Sequence, residues 1–297
     1  MTRSPWPAAL VAAGGALILP LVPVGGQTAP PATDIHVAEL RVVAGRLLVG
    51  ESANLTARPG YDNQPAFSPD GAAVWYTSIG ADGQADICRI ELAAGARTCI
   101  ALSPESEYSP TPMPGGGISV VRVERDSTQR LWRLSETGEW SLVLRDVRPV
   151  GYHAWVDADR VLVFLLGNPA TLALADRRSG SVRPVARNVG RSLHRIPGTT
   201  SLSFPQRVDT LWWVSRVDPA TLAVTPVAPA LLGVQDHAWL PDGSLLQARG
   251  NRLYRWTPGR PGWELLRVFT EPGLASISRL AVTPKGDRLA LVGLEAR

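Results

Sequence analysis

Residues 61–100 alternate short apolar runs with tight turns. Four apolar runs, rich in residues that favour strands, lie at residues 65–68, 73–78, 86–92 and 97–102. Between the first two runs, Pro69-Asp70-Gly71 is typical of a turn, because proline presets φ and glycine tolerates positive φ. Four short strands joined in this way predict one antiparallel meander of about forty residues, the size of a propeller blade.

Counterparts of this turn recur along the chain at intervals of about 40 to 45 residues. They begin at Pro69, Pro114, Asp157, Pro197, Pro241 and Pro284. Just before each turn stands an apolar residue, called the anchor below; the anchors are Phe67, Pro112, Trp155, Ile196, Trp239 and Val282. Strand-like runs follow each turn, so the pattern predicts six repeated units of the same kind.

The last unit has only two strand-like runs before the sequence ends, and the N-terminal region supplies two more. Residues 34–40 resemble the third strand of the first unit, and residues 47–56 resemble a fourth strand. We therefore predict an all-β, six-bladed β-propeller over residues 34–297, with four-stranded antiparallel blades and a last blade closed by the N-terminal strands. Such closure removes exposed sheet edges.

Three sequence segments carry a resemblance to a known family. They are Asn54-Leu55-Thr56, residues 62–71 (DNQPAFSPDG) with Asp86-Ile87, and residues 236–243 (DHAWLPDG). This pattern resembles the repeat of the TolB-like six-bladed β-propellers, over residues 34–297. The resemblance implies the propeller alone, without the N-terminal α/β domain of TolB itself, so TolB's own role in the cell envelope is not implied. It suggests a role in binding a protein or a small ligand.

Residues 1–26 have the pattern of a secretory signal, with Arg3 ahead of an apolar stretch and small residues at a plausible cleavage point. An uncleaved anchor helix is the alternative, but Gly14, Gly15, Pro20 and Pro23 weaken a spanning helix. Residues 27–33 form a Pro-rich spacer. We expect a periplasmic or secreted protein with no stable membrane insertion after signal cleavage.

The chain contains two cysteines, Cys88 and Cys99, on the third and fourth predicted strands of the first blade. In an exported protein such a pair can form a cross-strand disulfide. Two small buried residues are the alternative. The exported context favours the disulfide.

Three of the four histidines, His153, His194 and His237, stand two residues before the anchors of three consecutive blades. Three imidazoles around the propeller axis could bind Zn²⁺ or Mn²⁺. The alternative, which we favour, is that each is a polar residue at the start of a strand, facing water in the channel. Matched positions alone do not show that the side chains converge.

Charge and motifs restrict the function further. The formal net charge is only +4, and the arginines are scattered, which argues against a nucleic-acid partner. Neither G-x-S-x-G nor H-E-x-x-H occurs. The leading prediction is a monomeric, non-catalytic scaffold without a cofactor, binding a protein or small ligand through one rim or the central channel. The alternative is a metal-dependent lyase or hydrolase acting on a saccharide with the three histidines.

Overall fold

A computed structural model describes residues 30–100 and 103–294, which contain 24 β-strands and no α-helix. The first two strands are β1 (Thr33–Val43) and β2 (Arg46–Asn54). Blade 1 follows with β3 (Tyr61–Phe67), β4 (Ala73–Ile79), β5 (Ala85–Glu91) and β6 (Arg97–Ile100). Blade 2 consists of β7 (Ser106–Pro112), β8 (Ile118–Val123), β9 (Gln129–Leu134) and β10 (Trp140–Leu142).

Three further blades continue in the same order. Blade 3 consists of β11 (Val150–Trp155), β12 (Arg160–Leu165), β13 (Thr171–Asp176) and β14 (Val182–Arg187). Blade 4 consists of β15 (His194–Arg195), β16 (Leu202–Val208), β17 (Leu211–Val217) and β18 (Val224–Pro229). Blade 5 consists of β19 (Ala238–Trp239), β20 (Leu245–Arg249), β21 (Arg252–Trp256) and β22 (Trp263–Val268). In each of blades 1 to 5, neighbouring strands pair antiparallel.

Blade 6 combines both ends of the chain. Its first strands are β23 (Ser276–Val282) and β24 (Arg288–Leu294). Strand β1 pairs antiparallel with β24 along its first seven residues and with β2 on its other side. The prediction that the N-terminal strands complete the last blade is confirmed. Thr33, assigned to the spacer from sequence, is the first residue of β1, where it is buried and donates from Oγ1 to the Asp62 carbonyl at 2.9 Å.

Apolar side chains fill the space between consecutive blades. Leu162 and Phe204 belong to a cluster shared by blades 3 and 4, and Leu246 and Leu280 to one shared by blades 5 and 6. Ile35 belongs to a cluster shared by blades 6 and 1, with residues such as Phe67 and Val74. Each blade thus buries both faces against its neighbours, and this packing holds the first strands around the axis.

Blade 1 also carries a covalent link. Cys88 on β5 and Cys99 on β6 are direct partners in the strand register and form a disulfide. It ties the outermost strand of this blade to its neighbour.

The predicted secretory signal, residues 1–26, lies outside the described residues, as do residues 27–29 of the spacer. Within the described ranges, no helix has the length and apolar character needed to cross a membrane.

Candidate functional site

The first strands of all six blades surround a central cavity of ≈ 600 Å³. One residue from each blade lines it at a matched position, three residues before the anchor. These residues are Gln64, Ser109, Tyr152, Leu193, Asp236 and Arg279. We call them the channel ring. The repeat fixes their spacing in the sequence, but the side chains differ in every blade, so the ring is chemically asymmetric.

β-Bulges help to set the direction of the ring side chains in blades 1 and 2. The strand register shifts between Asn63 and Ala66 in β3, and again between Tyr108 and Thr111 in β7. Gln64 and Ser109 lie at these shifts with positive φ values of 59° and 55°. A bulge of this kind changes where a side chain points.

Polar ring side chains also link neighbouring blades. Gln64 accepts a hydrogen bond from the Ser109 backbone N–H at 2.6 Å. Asp236 Oδ1 accepts one from the Leu280 N–H at 2.8 Å. Each bond joins a blade to the next one along the chain, so these two ring residues hold the channel wall together.

Arg279 is the dominant charge in the channel. Only 9% of the residue is exposed, and its Nη2 donates to the Tyr152 hydroxyl at 2.9 Å across the channel. The guanidinium carbon also lies 5.1 Å from the centroid of the Tyr152 ring, in cation–π distance. Burial acts to lower the pKa of Arg279, but Tyr152 and Asp236 raise it overall, so the guanidinium stays charged.

Asp236 has an unusual protonation equilibrium. Burial raises its pKa to about 6, against the opposing effects of Arg279 and the Leu280 N–H. Near neutral pH this carboxyl therefore exists in both protonation states. Arg191 lies at the same place in the channel and is also close enough to lower the pKa of Asp236.

The structure places His153 between blades 2 and 3. Its Nε2 is hydrogen-bonded to the Ser119 hydroxyl at 2.6 Å, and the same hydroxyl accepts from Trp155 Nε1 at 2.8 Å. The imidazole ring borders the cavity but is only 5% exposed. Burial lowers the pKa of His153 to about 3, so the ring is neutral.

His237 repeats this arrangement between blades 4 and 5. Its Nε2 is hydrogen-bonded to the Ser203 hydroxyl at 2.8 Å, which accepts from Trp239 Nε1 at 2.8 Å. Burial, together with the neighbouring His194, lowers the pKa of His237 well below its usual value. We call the two arrangements the histidine seams: His153–Ser119–Trp155 and His237–Ser203–Trp239. In both, the serine precedes the histidine by 34 residues.

His194 differs from the other two. Blade 4 has Ile196 as its anchor instead of tryptophan, and His194 Nε2 is hydrogen-bonded to Ser192 at 2.9 Å, close by in the chain. Its ring centroid lies 4.8 Å from that of His237. Burial, followed by the charge of Arg279, lowers the pKa of His194 to about 4.

The geometry therefore brings His194 and His237 together, while the Nε2 atoms of His153 and His237 are bound to serines. Across residues 30–100 and 103–294, no group of three or more His, Cys, Asp or Glu side chains is arranged to hold a metal ion. The three-histidine site for Zn²⁺ or Mn²⁺ stays a prediction. The sequence analysis did not predict a role for Arg279 or Arg191. Arg279 could have been identified from the repeat, because it stands three residues before an anchor, the position that lines the channel in every blade.

No family model matches the sequence, and no curated protein matches it significantly. A candidate TolB from Agrobacterium tumefaciens superposes with a TM-score of 0.69 and 16% identity, over 91% of this chain and 100% of that one. TolB from Acinetobacter baumannii superposes with a TM-score of 0.58 and 14% identity, over 89% of this chain and 65% of that one.

This chain has the TolB-like propeller fold. The resemblance noted in the sequence is thereby confirmed at the level of the fold. A chain from a nidogen/laminin complex also superposes, with a TM-score of 0.57 and 14% identity, over 89% of this chain and 99% of that one. Identities this low establish shared architecture and leave function to be argued from the channel itself.

Proposed function

We propose that this TolB-like propeller is an exported, monomeric, non-catalytic binding protein that takes part of a protein or small ligand into its central channel. The observation that carries the proposal is the buried Arg279, whose charged group lines a cavity of ≈ 600 Å³. A buried charge in a concave site with few polar groups is a common feature of ligand pockets. Leu193 and the proline-rich walls supply apolar surface beside it.

Two further observations support export and binding. The signal-like pattern of residues 1–26 and the Cys88–Cys99 disulfide both suit an oxidising compartment outside the cytoplasm. The similar chain from the nidogen/laminin complex belongs to a structure that contains a protein partner. The neutral histidines of the two seams serve packing in this proposal, because their Nε2 atoms are bound to serines.

Site-specific photo-crosslinking tests whether the channel is the working surface. A photoreactive residue replaces Leu193, which lines the channel, or Val182, which is exposed on the outermost strand of blade 3. Each protein is irradiated in an extract of the cells that produce it. We expect one discrete adduct from position 193 and none of the same mass from position 182.

Metal analysis of the purified protein separates this proposal from the saccharide-enzyme alternative. The binding proposal expects no stoichiometric Zn²⁺ or Mn²⁺ and the same adduct in the presence of a chelator. Stoichiometric metal that disappears in a His194→Ala variant, together with cleavage of an acidic oligosaccharide, would refute it in favour of the enzyme. Identical adducts from positions 193 and 182 would refute a channel-centred role.

A further inference from the structure

We propose that the channel recognises a carboxylate group of its ligand, held by Arg279 and Arg191 with the Tyr152 hydroxyl beside them. This inference rests on the proposed function, because it names the ligand chemistry of the same channel. The recognised group belongs either to a small organic acid or to the carboxylate of a peptide. Its chemistry is the same in both cases.

Arg279 is incompletely paired. Its Nη2 donates to Tyr152, while its Nε and Nη1 have no hydrogen-bond acceptor among the residues of the described ranges. It forms no salt bridge with any of those residues, and it lines both of the cavities that meet at this point. These two nitrogens can therefore donate to a ligand in the cavity, and the planar donor fork of a guanidinium matches a carboxylate.

Positive charge is in excess around Arg279. Arg191 and Arg279 line the channel together, and Asp236 is the carboxylate that faces them. Asp236 already accepts the Leu280 N–H, so part of its hydrogen-bonding capacity is used. His194 is neutral and adds no charge, since its pKa lies at about 4. Two cations therefore face one partly protonated acid, which leaves room for one more anionic group.

Arg191, Asp236 and Arg279 lie where two cavities meet. A cavity of ≈ 600 Å³ and a second one of ≈ 480 Å³ share Arg191, Asp236, Arg279 and Leu280 as lining residues. The wall of the larger cavity is mainly apolar away from this point, with residues that include Pro65, Pro110, Met113 and Trp155. A ligand with a carboxylate at one end and an apolar body fits this division of the surface.

Calorimetric titration with two matched pairs of probes tests the inference. One pair is octanoate and octanamide, and the other is N-acetyl-Ala-Leu with a free carboxylate and its C-terminal amide. We expect the acid of at least one pair to bind about tenfold or more tightly than its amide, the loss typical of one charge-assisted contact. The pair that shows the larger preference identifies the source of the carboxylate.

Variants locate the effect. Arg279→Gln and Arg191→Gln should each reduce the preference for the acid by about tenfold. Arg187→Gln, on the exposed outermost strand of blade 3, is the matched control and should leave it unchanged. Because Arg279 is buried, Arg279→Lys is made as well; it keeps the charge and should retain part of the preference. Melting temperatures of all variants verify that each is folded.

Three results would overturn the inference: equal affinity for acid and amide, undiminished preference in Arg279→Gln and Arg191→Gln, or no binding of any probe at millimolar concentration. A channel adduct from position 193 that persists alongside any of these would leave the binding function intact and reject only the carboxylate. If the photoreactive residue at position 193 gives no discrete adduct, the proposed binding function of the channel is rejected as well. The two failures are therefore distinguishable.

Discussion

Two pairs of adjacent residues, one on β11 and one directly before β19, illustrate how one propeller wall serves two purposes. In Tyr152-His153 and Asp236-His237, the first member belongs to the channel ring and the second to a histidine seam. On β11, successive residues point to opposite sides of the strand. The histidines direct Nε2 to a serine of the preceding blade, whereas Tyr152 meets Arg279 across the channel. Polar residues on one strand thus differ in role according to the direction they face.

We expect variants of the histidine seams mainly to lower the free energy of unfolding, and variants of the arginines in the channel mainly to weaken ligand binding. Trp239→Ala should have the largest effect, about 3 to 5 kcal/mol off the free energy of unfolding, because it empties a buried site between blades 4 and 5. Denaturant unfolding measures the change. The half-buried Trp263 provides the control, and Trp263→Ala should cost clearly less. Equal losses would show that the seam is not a special point of packing.

Ser203→Ala tests the polar part of the same seam. It should lower the free energy of unfolding by about 2 kcal/mol, since it leaves the buried Trp239 N–H and His237 Nε2 without their partner. Ser179→Ala, in an exposed turn, should change stability by less than about 0.5 kcal/mol. A small effect of Ser203→Ala would mean that the hydroxyl only fills space. Neither variant should alter the preference for a carboxylate probe.

His153 makes the free energy of unfolding depend on pH. Its pKa falls from the usual 6.5 to about 3 on folding, so the unfolded chain binds the extra proton between these values. The contribution of His153 to the free energy of unfolding is fully present above pH 6.5. It declines as the pH falls, and at pH 5 it is lower by about 2 kcal/mol. His153→Gln cannot take up the proton and should flatten the decline. An unchanged slope would contradict the burial of a neutral imidazole.

Asp236 in the channel ring should make the free energy of unfolding depend on pH in the opposite direction, and by a smaller amount. The pKa of Asp236 rises from 3.8 to about 6 on folding, so the folded chain holds the proton in that range and stability declines as the pH rises through it. Because the residue is partly exposed, Asp236→Asn should stabilise by only about 1 kcal/mol at pH 8. At pH 4 the gain should vanish. A gain of the same size at both pH values would reject this protonation equilibrium.

Much of the fold followed from local patterns. Turn residues at intervals of about 40 to 45 residues gave the blade count, and similarity between residues 34–40 and 86–92 placed β1 in the last blade. The candidate site was harder to predict. The repeat placed three histidines at matched positions, but this alignment alone does not tell which neighbour each imidazole faces. The serines 34 residues upstream of His153 and His237 were the available signal.

The sequence by itself determined the strands and the repeat, because turn chemistry and alternating apolar residues act over a few positions. The repeat in turn indicated the pairing of the chain ends, because the last unit lacks two strands and the N-terminal region supplies two. Tertiary structure decided the site. Arg279 meets Tyr152 only because blades 6 and 3 face each other across the axis, a contact between residues 127 positions apart. The bulges in β3 and β7 likewise depend on pairing with the next strand. Packing around a common axis converts a regular repeat into an asymmetric channel.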